Sequence, residues 1–275
     1  MRRAGGAAAA AVCAALLVPA AATATYGGHA VPRARAVSLA HFTVARGGGQ
    51  GECTGVVIAP LQVLTAAHCV RSRRPDERVR VLGRTLRAGN PGRSARTARI
   101  TRVVVHPRYR SRVPQDGFDL AVLSLSRRVG PPVPLATPDE EVALAAPGAQ
   151  VTATGFGATA TAPDATDGRA HAVTLAVRDP RACVVATLVD AFARSQMCAG
   201  ADTRGVCPGD SGGPLTGPGP DGRTRVVGIT ARTMPAGGCG TASTGVFSRV
   251  APFRTWILAQ TGPLGGDAPP PAPPG

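Results

Sequence analysis

The sequence contains no lysine. All 31 of its basic residues are arginine, against 16 acidic residues, so the formal net charge is +15 at pH 7. Aromatic residues are scarce as well, at 3% of the 275-residue chain. Basic side chains without interleaved aromatics, and without a nucleic-acid motif, argue against sequence-specific nucleic-acid binding. Long apolar runs are missing: the stretch Ala7–Val18 is shorter than the ~20 residues a membrane-spanning helix needs. No His, Cys and carboxylate cluster has ligand spacing, which argues against a catalytic metal. No internal repeat is present. What the chain does have is an apolar content of 44%. That excludes a disordered polymer and can fill one large core or two small ones. The surplus of Ala, Gly, Pro and Arg is of the kind a GC-rich genome imposes irrespective of function.

The N-terminus reads as a signal peptide over residues 1–24. Arg2 and Arg3 precede the apolar run, Pro19 ends it, and small residues lead to the A-x-A site Ala22-Thr23-Ala24. The other reading of the run is an uncleaved anchor. Cys13 lies within it and leaves with it. A secreted, extracellular chain without a membrane segment results. Six cysteines remain: Cys53, Cys69, Cys183, Cys198, Cys207 and Cys239. An even number in an exported chain implies three disulfides, but the sequence alone does not choose the pairing.

Short β-like runs recur between Gly, Pro and Asp turns: Thr54–Ala59, Val63–Thr65, Arg99–Val105, Phe118–Leu125, Gln150–Thr154, Ala172–Val177, Val226–Thr230 and Gly245–Val250. Many short strands at this spacing predict an all-β sandwich or barrel. One helix is expected from Asp179-Pro180, an N-cap with proline in the first turn. Another is expected from about Pro252 to Gln260, with Phe253, Trp256 and Ile257 at helical spacing. The segment Gly130–Pro138 reads as a link between two halves. Residues 263–275 read as a disordered Pro-rich tail.

Four features carry chemistry. Thr65-Ala66-Ala67-His68-Cys69 places a histidine beside a cysteine. Asp119 opens the apolar strand Leu120–Leu123. In Gly209-Asp210-Ser211-Gly212-Gly213-Pro214, glycines flank a serine, so the backbone can turn tightly and aim its N–H groups at a ligand. The chain order His…Asp…Ser is the fourth. Read singly, each is ordinary: a structural histidine, a strand-edge acid, a common turn.

Taken together, these blocks resemble the signatures of the trypsin/chymotrypsin-like serine proteases, of the secreted, bacterial type. Further pieces match in order: Val104-Val105-His106-Pro107, Gly155-Phe156-Gly157, Gly228-Ile229-Thr230 and the Trp256-Ile257 helix. The similarity covers roughly Thr25 to Gln260. It implies an all-β fold of two antiparallel six-stranded barrels with a C-terminal helix. Barrel one would span about 25–134 and barrel two about 135–262, with the site between them. It implies a serine endopeptidase acting on proteins or peptides, with His68, Asp119 and Ser211 as the triad. The N–H groups of Gly209 and Ser211 would form the oxyanion hole. The disulfides would be Cys53–Cys69, Cys183–Cys198 and Cys207–Cys239. No cofactor is implied, and a monomer is expected. A non-catalytic binding protein of the same fold is the alternative, but that arises when triad residues are lost, and here all three are present.

The same resemblance puts Gly205 at the floor of the substrate pocket, with Ala231, Thr233 and Gly245 as further wall positions. A basic-specific enzyme needs an Asp at the floor, so an uncharged residue is expected before the scissile bond. Asp202 nearby could restore a basic preference if the loop is displaced. Three departures stand out. Ala231 replaces a serine that supports the triad Asp, Arg232 replaces an aromatic, and Thr54 replaces the first glycine after Cys53. The mature amine is expected to pair with Asp210. Thr25-Tyr26-Gly27-Gly28 resembles the family's mature start, so signal cleavage after Ala24 would itself free Thr25. Arg33 and Arg35 mark an alternative processing site. Finally, 14 arginines lie between Arg71 and Arg112, against Asp76 and Glu77. These form either a solvated face or a surface for anionic polymers.

Overall fold

The computed structural model describes residues 26–31, 38–46, 49–71, 78–81, 96–110, 117–158, 169–185, 188–234, 239 and 244–261. The expected signal peptide, Thr25, Arg33, Arg35, the Pro-rich tail and much of the arginine-rich stretch lie outside these residues.

Of the described elements, a two-residue strand β1 (His29–Ala30) comes first. The next six close into a barrel: β2 (Leu39–Arg46), β3 (Gly49–Ala59), β4 (Gln62–Thr65), β5 (Arg78–Val81), β6 (Arg96–Val105) and β7 (Ala121–Leu125), in the order β2-β3-β4-β7-β6-β5. Pairing of β2 with β5 shuts the ring. β-branched and aliphatic residues fill it: Val56, Ile58, Leu64, Ile100 and Leu123 are all buried in one cluster with Phe42. Closure pairs the two edge strands of this sheet with each other.

The second half is β8 (Gln150–Gly155), β9 (His171–Val177), β10 (Gln196–Gly200), β11 (Pro214–Pro218), β12 (Thr224–Met234) and β13 (Thr244–Arg249). Their order is β9-β10-β13-β12-β11-β8, and β9 also pairs with β8 along its length. The chain is therefore all-β, as expected, with one closed six-stranded barrel and a second antiparallel sheet curled on itself. One boundary moves. The first residues were expected in barrel one, yet β1 pairs with β9, and Tyr26 bridges Gly205, both in the second half.

Two helix expectations need refining. Asp179 does cap a helical turn, its carboxylate accepting from Arg181 N–H, but only the 3-10 turn Pro180–Ala182 follows. The α-helix of this region, α2, starts later (Val189–Ser195). The C-terminal helix α3 (Arg254–Thr261) follows a 3-10 turn at Ala251–Phe253. Its Ile257 is buried and its Trp256 packs against the core of the first barrel, so helix α3 returns to the first half. There His106 stacks on Phe118 and meets Phe253 and Trp256 edge-on, with centroids 4.7–5.5 Å apart across the cluster.

One helix that was not expected begins at the last residue of the expected link Gly130–Pro138. α1 (Pro138–Leu144) has a complete capping box, Thr137 with Glu140, and proline in its first turn. Its acids reach the second sheet: Glu140 pairs with Arg225 at 2.9 Å, and buried Glu141 with Arg249 at 2.5 Å. The three disulfides pair as the resemblance implied. Replacing Thr137 with alanine removes one cap acceptor, and about 1 kcal/mol of stability should go with it. A urea titration should show a lower midpoint at unchanged slope; an unchanged midpoint contradicts the role given to the cap.

Candidate active site

His68 sits in a 3-10 turn, Ala67–Cys69, directly after β4. Cys69 is bonded to Cys53 on β3, so the turn is fixed to the barrel wall. Closing a loop of this length contributes about 3 kcal/mol in the chain-entropy model. Asp119 holds the turn from the other side. Its Oδ1 accepts the backbone N–H of His68 at 2.8 Å, and its Oδ2 lies 2.7 Å from His68 Nδ1. An ionised carboxylate only accepts, so Nδ1 carries the proton and Nε2 is left with a lone pair. Asp119 does not open the strand as expected; it lies two residues ahead of β7. Its own carbonyl accepts from the hydroxyl of fully buried Ser248 at 3.4 Å. The sulfurs of Cys53 and Cys69 lie with a ring nitrogen of His68 within 4.8 Å. Being joined in a disulfide, they offer no thiolate to a metal.

Ser211 comes from the second half, in the loop before β11. That loop docks backbone to backbone on the first barrel. Thr54 N–H donates to the Ser211 carbonyl at 2.8 Å, and Cys69 Sγ lies 3.7 Å from that same oxygen and 3.6 Å from His68 Nε2. One sulfur thus touches both the imidazole and the Ser211 backbone. Gly212 makes the approach possible: a Cβ there would lie 2.1 Å from Thr65 Oγ1 and 2.3 Å from the Thr54 carbonyl.

Gly209 has φ +99°. The Pro208 carbonyl accepts from Ala158 N–H at 2.9 Å. In a trans peptide the N–H points opposite the C=O, so the N–H of Gly209 is aimed away from Ala158. Asp210, between Gly209 and Ser211, is 1% exposed. It accepts from Gly157 N–H and Cys207 N–H, each at 2.8 Å. Side chains at Gly155 or Gly157 would strike its carboxylate, which explains that turn's glycines. Burial pushes Asp210 up to about 7, while the two backbone donors act the other way. Among the described residues no cationic side chain pairs with it.

The four expected pocket positions fall into two groups. Thr233 faces Gly245 across β12 and β13. Gly245 packs against Val206, next to Gly205, closely enough that a Cβ would lie 2.9 Å from Val206 Cγ2. Ala231 stands apart, at the register shift between Thr230 and Arg232. Asp202 does not supply a charged floor: its side chain is 99% exposed and faces Arg178 at 3.5 Å. Arg232 donates to Gln196 Oε1 at 2.7 Å. Burial lowers its pKa and the charge of Asp119 opposes that shift. The sequence marked Thr54 only as a replacement of glycine; its contacts make it the residue on which the two halves meet.

A trypsin family model matches residues 26–257. A trypsin of Saccharopolyspora erythraea is 33% identical over 77% of this chain and 88% of its own length. The human serine protease 56 is 35% identical over 78% of this chain, which spans only 35% of that protein. Proproteinase E of Bos taurus is 35% identical over 74% of this chain and 81% of its own length.

The buried carboxyl gives a pH test. A group raised from 3.8 to about 7 holds its proton longer in the folded state. Its contribution is therefore full below the unfolded pKa and lost as pH rises through the folded one. The protein as described, in which no cationic side chain among the described residues meets Asp210, should melt lower at pH 8 than at pH 5. Asp210→Asn should flatten most of that difference in calorimetry. An equal pH dependence in both proteins contradicts it.

Proposed function

The chain belongs to the trypsin family of serine endopeptidases, and we propose that it is a secreted enzyme whose triad is His68, Asp119 and Ser211. It cuts after an uncharged residue of small to medium size. The observation that carries the reading is the 2.7 Å contact of His68 Nδ1 with Asp119, beside a loop that brings Ser211 to the same disulfide sulfur.

The chemistry follows from that arrangement. A serine hydroxyl is a weak nucleophile at neutral pH. His68 Nε2 takes its proton as Ser211 Oγ bonds to the substrate carbonyl carbon. Asp119 holds the imidazole in the needed tautomer and stabilises the imidazolium. The carbonyl oxygen gains negative charge and is met by the N–H groups of Gly209 and Ser211, one such donor contributing about 3 kcal/mol. The intermediate collapses, the C–N bond breaks, and the imidazolium returns its proton to the leaving amine. Water repeats the sequence to release the acyl group.

The specificity rests on the glycine at the pocket floor and the outward position of Asp202. Activation follows from Asp210. Tyr26 O accepts from Gly205 N–H at 3.0 Å, so the segment after Thr25 runs beside the pocket. Signal cleavage after Ala24 would free the Thr25 ammonium to pair with Asp210, with no separate zymogen step. A buried unpaired carboxylate costs several kcal/mol, so this pairing orders the loop that carries Ser211. The arginine-rich surface, with Arg99, Arg102 and Arg108 exposed, gives a second contact mode with anionic polymers. Salt-sensitive retention on an anionic matrix beyond that of ordinary secreted proteins tests it.

A fluorophosphonate should label the wild type but not Ser211→Ala, and Asp119→Asn should lower kcat by about ten-thousandfold. Cleavage-site profiling should return aliphatic residues before the cut, and a dominant Arg or Lys there overturns the specificity. N-terminal sequencing of the active protein should read Thr25. Full activity with another start ends the activation proposal.

A further inference from the structure

Thr54 stands where the family resemblance puts a glycine, and it is fully buried where the barrel meets the second half. Two of its contacts are backbone contacts that a glycine would also make. Its N–H donates to Ser211 O at 2.8 Å, and its carbonyl accepts from Thr65 Oγ1 at 2.8 Å. The other two belong to the hydroxyl. Thr54 Oγ1 donates to the Gly209 carbonyl at 2.9 Å and accepts from Phe156 N–H at 3.3 Å.

From these contacts we infer that the Thr54 hydroxyl is a positioning residue for the oxyanion-binding N–H of Gly209. The inference rests on the endopeptidase reading above. Gly209 lies between two peptide planes. The first is held by Ala158 N–H on the Pro208 carbonyl; its N–H is the one proposed to meet the reacting carbonyl. The second, Gly209–Asp210, has its N–H on Cys207 O at 3.0 Å and its carbonyl on Thr54. Glycine at positive φ has no side chain to resist rotation, so the angle between the two planes depends on the hydrogen bonds that hold each of them. The Thr54 hydroxyl provides one of them from the opposite barrel. By also taking the Phe156 N–H, the same atom ties down the turn whose Gly157 and Ala158 hold Asp210 and Pro208. A hydroxyl can donate and accept at once; valine, with the same shape, does neither and leaves a buried donor and acceptor unpaired.

The test compares Thr54→Val, Thr54→Ser and Thr54→Gly in the full secreted chain. A peptide p-nitroanilide cleaved by the wild type is the substrate, and active sites are counted by fluorophosphonate titration. Thr54→Val and Thr54→Gly should lose about ten- to hundredfold in kcat, the scale of a misaligned oxyanion donor, with KM within about twofold. Thr54→Ser should stay within about threefold of wild type. The pH at which activity is half-maximal should not move, because His68 is untouched. Thr54→Val with wild-type kcat overturns the inference, as does a serine variant that falls equally, or a loss that comes with a shifted pH profile. If the valine variant is not recovered folded, the glycine variant decides alone, and wild-type kcat in it overturns the inference. A wild type that neither cleaves peptides nor takes the label fails the endopeptidase reading itself, whereas wild-type turnover with an unimpaired glycine variant fails only the role of Thr54.

Discussion

Everything at this site depends on a close backbone approach between two separately built halves. Thr54, on the first barrel, meets the Gly209–Gly213 loop of the second half through direct hydrogen bonds, Thr54 N–H to Ser211 O and Thr54 Oγ1 to Gly209 O, while Thr65 Oγ1 donates to the Thr54 carbonyl behind it. Gly212 at φ +80° admits the contact. Gly213 is equally confined, its missing Cβ facing the Thr154 carbonyl at 2.4 Å. The rest of the architecture keeps those two edges in register. Barrel closure stiffens one side, and the Cys53–Cys69 bond fixes the histidine turn to the strand that makes the contact. The aromatic group around His106 seats the C-terminal helix against the segment that leads to Asp119.

Electrostatics give the arrangement a condition. Asp119 is matched where it stands, by the His68 backbone and ring. Asp210 is not: two backbone donors offset part of its burial, and it still titrates near neutrality, at about 7. A carboxyl in that state demands a cation or a proton. Its loop is the one that docks on Thr54, so in the proposed activation the cation that satisfies Asp210 would also order Gly209 and Ser211. In that proposal stability and activity share one control point, one residue away from the proposed nucleophile.

The sequence carried much of this in legible form, for physical reasons. Close packing allows only glycine at 209, 212 and 213, and that constraint writes itself into a short recognisable string. The disulfides were legible only through the resemblance, since nothing local distinguishes the pairings. Strands β2, β5, β10 and β11 were not among the runs singled out. β10, Gln196–Gly200, is buried on both faces and shows no alternation. β11, Pro214–Pro218, begins and ends in proline, which ordinarily argues against a strand. Helix α1 was missed although Thr137-Pro138-Asp139-Glu140 has the form of a capping box, because the prolines just before it suggested a linker. The pairing of β1 with β9 is a long-range contact with no local signature. Thr54 could be seen as a departure from the pattern, but its consequence needed the partners of its hydroxyl.

The most direct measurement is the fluorophosphonate labelling rate of Gly212→Ala. The added methyl would lie 2.1 Å from Thr65 Oγ1 and 2.3 Å from the Thr54 carbonyl, forcing the loop off the barrel. The account predicts a folded protein with its three disulfides and β-type far-UV spectrum, and labelling slowed by about a hundredfold from the displaced serine. A folded Gly212→Ala protein that labels at the wild-type rate would contradict it.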